Sequence, residues 1–403
     1  MMLELAPGPQ IAIGLMSGTS HDGVNAALVE IDLERRPPVT LIAFKSYGFE
    51  PRLRRRLLAA SGGAAIGAGE LSALNFSLGR ALAQAAVGLA RGAGMPLERI
   101  AFIGSHGHTF FHLPPRTARR GQIPSTLQMG ESAVIAALTG RPVVDDFRPM
   151  DIALGGEGAP LAPLAHRLLF GDPKLGRVVE NLGGIGNATY LPPGVAPSDA
   201  RLIAFDTGPA NMLIDGLMVR LSRGRARMDR DGRMAARGQV HAGLLKELMR
   251  HRFFARRPPK STGREEFGAA FTERVLRRAL ALGIAAPDII ATATALTAHS
   301  IAQACRHFVM PLGALDQVIV TGGGARNPTL VAMLAEQLPG IPVMRAEALG
   351  VDSEALEAVA FALLGHALLR GQPGNFPSVT GARTAAVLGK LTPPPTGWRP
   401  PPA

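Results

Sequence analysis

Apolar and polar positions alternate from the start of the chain. Ile11–Asp32, IAIGLMSGTSHDGVNAALVEID, reads as two strands of a hairpin around the small-residue turn Ser17-Gly18-Thr19-Ser20. Val39–Glu50 extends the pattern as a third strand, and Leu71–Gly94 carries apolar residues at helical spacing and ends on glycine. Ile100–Ser105 is a short apolar strand running into the polar stretch through His106, Gly107, His108 and Thr109. Ser132–Leu138 predicts a helix, Pro142–Asp146 a strand, and Phe147–Pro160 a Gly-rich loop holding Arg148 and Asp151. The second half begins again in the same way, with Arg177–Leu191, RVVENLGGIGNATYL, as strand, glycine turn and strand. Leu202–Phe205 is a strand before the polar turn Asp206-Thr207-Gly208-Pro209-Ala210-Asn211, with a helix from Met212. Ala285–Val309 is a long helix, and Gln317–Val320 a strand entering Gly322-Gly323-Gly324-Ala325-Arg326-Asn327. Thr329–Leu338 and Ser353–Leu369 read as helices, and the tail from Leu391 holds six prolines and predicts an unpacked end.

Strands alternating with helices mean an α/β protein. Each half opens on a hairpin with a Gly-rich turn, a weak internal repeat that predicts two facing domains around an interdomain cleft, the default place for a ligand. The expected division is 1–140, an N-terminal α/β domain with a first phosphate loop; 141–390, a C-terminal α/β domain with a second phosphate loop and an adenosine motif; and 391–403, a flexible tail.

Composition narrows the class. The 403 residues suit two domains, and 47% apolar against 18% charged residues argues against disorder. No run of 18 apolar residues predicts a membrane span, and the opening MMLELAPGPQ does not read as a signal peptide. Cys305 is the single cysteine, so no intramolecular disulfide forms, and its alanine-rich surroundings predict a small buried hydrophobe. These features suit a cytoplasmic enzyme. The net charge of +12 suits anionic ligands or nucleic acid. Basic residues are scattered, with local clusters at 52–56, 116–120, 220–233 and 250–264, and only 5% of residues are aromatic, so no platform for stacked bases is evident.

The turn Ser17–Gly23 has little bulk, exposed N–H groups, hydroxyls and the Asp22 carboxylate. That inventory suits a polyphosphate and its metal, and a plain hairpin turn fits it equally. It lacks the Gly-Lys-Ser/Thr of a P-loop and the spacing of a nucleophile elbow. Asp206 before Thr-Gly-Pro suits catalysis or a cap. His106, His108 and His112 lack zinc spacing and a cysteine partner. Lys260-Ser261-Thr262-Gly263-Arg264 reads as an exposed loop without a catalytic role.

Taken together, GLMSGTSHDGVNAALVEID, GSHGHT, TLQMGESAVIA, DDFRPMDIALGGEGAPLAP, NLGGIGNATYL, FDTGPANMLID, PPKSTGREEF, TGGGARNPTL and PGNFPSVTGA resemble the anhydro-N-acetylmuramic acid kinase family, in order and over roughly residues 11–389. The resemblance implies the sugar kinase, actin and Hsp70-type ATPase superfamily, with two ribonuclease-H-like domains. It implies a peptidoglycan-recycling enzyme that uses ATP and Mg²⁺ on 1,6-anhydro-N-acetylmuramic acid. Water opens the anhydro bridge and O6 is phosphorylated, giving N-acetylmuramic acid 6-phosphate and ADP. Carried over residue by residue, Gly18, Thr19, Ser20, His21, Asp22, Gly23, Val24 and Asn25 form the first phosphate loop, with Asp22 at the metal. Asp206 is the catalytic carboxylate, and Gly208 a second phosphate contact. His106, Arg148 and Glu357 meet the sugar, and Gly322, Gly323, Gly324 and Asn327 take adenosine. A homodimer is also implied. Five positions depart from the family pattern: His21 for an apolar residue, Asn25 for aspartate, His108 for glutamine, Glu131 for aspartate and Ala210 for glycine. Ala210 is tolerable with a negative φ and costly with a positive one. A related sugar kinase with another substrate, and a catalytically silent nucleotide-binding regulator, are the competing expectations.

Overall fold

A computed structural model describes residues 5–18, 21–61 and 66–395. Twelve strands occur among them: β1 Gln10–Ser17, β2 Gly23–Ile31, β3 Val39–Gly48, β4 Phe102–Leu113, β5 Ser125–Met129, β6 Val143–Asp145, β7 Arg177–Leu182, β8 Ile185–Leu191, β9 Ile203–Pro209, β10 Gln317–Thr321, β11 Val343–Arg345 and β12 Lys390–Thr392. Contacts divide the chain into two compact units, Met1–Leu169 with Ala355–Ala403, and Phe170–Glu354.

The first unit holds a sheet of order β12-β6-β4-β1-β2-β3, with β5 paired to β4. β2 runs antiparallel to both β1 and β3, whereas β4 runs parallel to β1 and β6 parallel to β4. The second unit repeats this plan. Its order is β11-β10-β7-β8-β9, with β7, β8 and β9 antiparallel and β10 and β11 parallel to β7. The shared order and sense are those of a ribonuclease-H-like sheet, so the expected internal repeat is a repeat of topology. In the first unit Leu74, Leu78, Leu82 and Leu89 line one stripe of the helix Ala68–Gly92 and bury against Ile13, Leu15, Val24 and Leu28. In the second, Ala298, Ile301 and Ala302 of the helix Ala286–Ala304 bury against Val178, Tyr190 and Phe205.

The division differs from the one expected at residue 140. The first unit runs on to Leu169 and takes back the helix Leu356–Leu369. That helix lies directly on β1 and β4: a methyl on Gly14 or Gly104 would stand 1.8 Å from the Ala358 carbonyl oxygen or 2.1 Å from that of Phe361. Such contacts join residues far apart in the chain, which local periodicity cannot register. Other local expectations also change. β4 continues through the histidines to Leu113, and β9 continues through Asp206-Thr207-Gly208-Pro209, so that stretch is strand rather than turn. The supposed Gly-rich loop contains a short helix, Arg148–Ala153. Leu391 and Thr392, assigned to an unpacked tail, pair with Val144 and Val143 of β6; residues 396–403 lie outside the described residues. Cys305 is buried and free. No helix among the described residues is long and apolar enough to cross a membrane.

Candidate active site

In the first unit, β4 carries His106 beside Arg148, the first residue of its short helix. Arg148 Nη2 and Nε lie 2.8 and 3.2 Å from His106 Nε2, and Nη1 donates to the Gly158 carbonyl at 2.7 Å. A guanidinium only donates, so His106 Nε2 accepts and the proton sits on Nδ1, 3.2 Å from the Gly107 carbonyl oxygen. Burial first, and Arg148 second, hold His106 well below the ordinary histidine range. Burial also draws Arg148 down to about 10, opposed by Glu357 and Asp151. Asp151 is fully buried; it accepts from Asn375 Nδ2, Thr380 Oγ1 and the Gly158 N–H, each at 2.7 Å. Those bonds fix the loop whose carbonyl holds Arg148, and they tie the DDFRPMDIALGGEGAPLAP block to PGNFPSVTGA. Glu357 opens the returning helix and shares a concavity with Gly18, Asp22, Gly23 and Asn25. The protein around its carboxyl pushes it upward, and Arg148 pulls it back.

The turn after β1 is braced at several points. Buried Ser17 Oγ donates to the Gly23 carbonyl at 2.9 Å and lies 3.0 Å from His108 Nδ1. With its one proton committed, Ser17 must accept from His108, whose Nε2 then accepts from His21 Nδ1 at 2.9 Å. Burial holds His108 down to about 4, in keeping with this neutral form. Two of the family departures, His21 and His108, are therefore direct partners. Arg54, which the sequence showed only as part of a basic cluster, donates to the His21 carbonyl at 3.1 Å and to Asp22 Oδ1 at 2.9 Å. Asn25 Oδ1 accepts from Ser46 Oγ at 2.7 Å. Val24 is buried under the strand pair, and Thr19 and Ser20 lie outside the described residues. Among the described residues no three His, Cys, Asp or Glu side chains cluster as a metal site.

In the second unit Asp206 stands on β9, the edge strand. Asn187 Nδ2 donates to its Oδ1 and the Thr262 N–H to its Oδ2, both at 2.8 Å. Burial raises its pKa; Asn187, Thr262 and the charge of Lys260 partly offset this. The Lys260 loop, expected to be exposed, is therefore a wall of the site: Lys260 is only 6% exposed. Its PPK signal resembled a surface turn, and nothing local in sequence showed that β9 has a free edge for it. Behind the strand Thr207 Oγ1 donates to Glu180 Oε1 at 2.7 Å. Glu180 is fully buried and is pushed up to about 8, by burial first and Asp206 last, so it is protonated at neutral pH.

The glycines near Asp206 are held by close packing. Gly208 has φ +144°, and a methyl there would meet Phe254 Cε1 at 2.7 Å. Ala210 has φ −114°, the tolerable case for that departure. The N–H groups of Ala210 and Met212 donate to the Gly184 carbonyl and that of Asn211 to Gly183, joining the NLGGIGN turn to the end of β9. Gly322, Gly323 and Gly324 follow β10, and Gly324 is buried against Leu182. Asn327, expected at adenosine, caps the next helix by accepting from the Leu330 N–H at 3.0 Å. Glu131 likewise caps a helix, accepting from Ala133 N.

The two ribonuclease-H-like units thus carry different side chains: a histidine–arginine pair and a braced glycine turn in the first, and a half-buried carboxylate in the second. Residues 10–394 match the family described as anhydro-N-acetylmuramic acid kinase. Proteins of that name from Caldanaerobacter subterraneus subsp. tengcongensis and Salinibacter ruber are 41% and 43% identical over 387 and 385 residues. The matches cover 95% of this chain in both cases, and 97% and 96% of the relatives. One from Gloeobacter violaceus is 43% identical, covering 96% of this chain and 99% of its own. Among solved structures, a ROK hexokinase from Thermus thermophilus aligns over 89% of this chain and 99% of its own, with TM-score 0.36 and 17% identity. The chain belongs to the anhydro-N-acetylmuramic acid kinase family and is a kinase.

Proposed function

We propose that this kinase opens 1,6-anhydro-N-acetylmuramic acid with water while transferring the γ-phosphoryl group of ATP to O6, yielding N-acetylmuramic acid 6-phosphate and ADP. The observation that carries the reading is the Asp206 carboxylate, aimed by Asn187 and Thr262 and raised above the ordinary aspartate range by burial. A raised carboxylate is a better base at neutral pH while still ionised. In the proposed step Asp206 takes a proton from water, the water oxygen bonds to the anomeric carbon, and the C1–O6 bond breaks. The departing O6 takes the phosphoryl group in place of a proton, and ADP leaves. The Asp206 proton passes to solvent.

Arg148 supports recognition of an anionic sugar. Three of its five N–H groups are committed to His106 and Gly158, leaving one on each Nη to grip the lactyl carboxylate as a fork. Neutral His106 fixes that fork, and Glu357 can accept from sugar hydroxyl or amide groups. Asp22 gives one oxygen to Arg54, and its side chain is 67% exposed. A single accessible carboxylate fits Mg²⁺ held largely by phosphate and water. When bound, Mg²⁺ would neutralise phosphate charge. We read Gly18–Asn25 and Gly208 as phosphate contacts and Gly322–Gly324 as the adenosine wall. Asn327 shapes that wall as a cap.

The test is purified protein with ATP, Mg²⁺ and the anhydro-sugar, following ADP and the 6-phosphorylated sugar. Sugar-dependent product that Asp206→Asn cuts by about a thousandfold is expected. ADP release independent of this sugar, or nucleotide binding without turnover, would overturn the reading.

A further inference from the structure

Lys260 is a buried cation to which the proposed reaction gives no part. The segment Lys260–Thr262 runs along the open edge of β9. Its first carbonyl accepts the Asp206 N–H at 3.0 Å, and its last N–H donates to Asp206 Oδ2 at 2.8 Å. Between these bonds the segment fixes both the backbone and the carboxylate of one residue. The Lys260 ammonium sits on the face of β9 that carries Phe205, with ring centroids of Phe253, Phe308 and Phe205 at 4.5, 4.9 and 5.8 Å. It donates to the carbonyls of Phe253 and Phe254 at 3.3 and 3.5 Å. No carboxylate lies within ion-pair distance of it among the described residues. Burying an ammonium this way is costly, and ring faces and carbonyls compensate only when the segment stays in place.

The charges around the pair are few. Asp206 feels Lys260 and Glu265, and it acts in turn on Glu180 behind the strand. Burial draws Lys260 down to about 8, with Asp206 opposing and Arg256 adding to this, so the ammonium keeps its charge on the acidic side. Arg256 is paired with Glu266 at 3.0 Å, and Glu266 also accepts from Thr262 Oγ1 at 3.0 Å. Lys260 thus brings positive charge to a carboxylate that burial drives toward neutrality, and it anchors the peptide that aims that carboxylate.

We propose that Lys260 is a positioning residue for Asp206: its aromatic-caged ammonium pins the Lys260–Thr262 segment against β9 and sets a fixed positive charge by the peptide that aims the carboxylate. The inference rests on Asp206 being the base. A purely structural anchor would lower turnover equally at all pH values. A charge that acts on Asp206 concentrates the loss on the acidic side.

The experiment compares wild type, Lys260→Met and Lys260→Arg in sugar-dependent turnover across pH. In parallel, the Asp206 carboxyl is titrated by ¹³C NMR in the full-length protein, assigned by its loss in Asp206→Asn. Lys260→Met is expected to move the acidic limb of kcat and the NMR midpoint upward together by ~1 pH unit, a tenfold loss of kcat on that limb, with KM for the sugar little changed. Lys260→Arg should leave both where they are in wild type. Superimposable limbs and midpoints in wild type and Lys260→Met, or an equal displacement in Lys260→Arg, would overturn the proposal. Should Lys260→Met fail to fold, Lys260→Gln carries the same comparison. The NMR midpoint needs no substrate, so a wild type inactive on this sugar would refute the assigned reaction without deciding the role of Lys260.

Discussion

The two units share one strand order and place opposite chemistry on it. In the first, β4 and the helix Arg148–Ala153 bring together a buried neutral histidine and a guanidinium that burial draws down to about 10, still charged at neutral pH. In the second, β9 holds a carboxylate that burial has raised, backed by a glutamate that keeps its proton at neutral pH. Desolvation acts at both in opposite senses: it lowers the pKa of a cation in the first and raises that of an anion in the second. A repeated fold therefore need not repeat a site, because the strand ends fix positions and the residues on them fix charge.

The comparison breaks most sharply at the residues that define each side. Asp206→Asn keeps size and hydrogen-bonding capacity but removes the proposed base, hence the thousandfold loss expected of it. Next in size, Arg148→Met should lower kcat/KM for the sugar by about a hundredfold, mostly through KM, since a charged hydrogen-bonded pair contributes roughly 1.5–3 kcal/mol. An unchanged KM would remove Arg148 from substrate recognition.

The remaining tests concern stability. Glu180 titrates at about 8 when folded, above the ordinary glutamate value near 4.5. Between those values the folded protein holds a proton that the unfolded chain has lost, so stability conferred at low pH declines as pH rises. Glu180→Gln removes that dependence. Relative to wild type it should gain ~3 kcal/mol between about pH 5 and pH 8, read from unfolding midpoints at the two pH values. An equal offset at both would show Glu180 ionised in the fold. Gly208→Ala places a methyl against Phe254 at a φ that side chains avoid. It should destabilise by about 2 kcal/mol in denaturant titration, whereas a neutral effect would mean β9 relaxes there freely.

Both sheets were legible because hairpin alternation and glycine turns are local signals: β1, β2, β7 and β8 fall where periodicity puts them. Asp206, His106 and Arg148 were legible through sequence blocks. What escaped is non-local. The return of Leu356–Leu369 to the first unit depends on Gly14 and Gly104 meeting its backbone. Arg54 bracing Asp22 and Lys260 lining Asp206 depend on tertiary contacts that a run of basic residues does not announce. The pairing of His21 with His108 was equally hidden, although each departure was visible alone.

The most direct test of the account follows the water oxygen. Turnover of the anhydro-sugar with ATP in ¹⁸O-water should place one label at C1 of N-acetylmuramic acid 6-phosphate and none in its phosphate, with Asp206→Asn forming almost no labelled sugar. Label in free phosphate with the sugar unchanged, or an unlabelled phosphorylated sugar, would contradict the assignment of Asp206 as the base that drives water onto the ring.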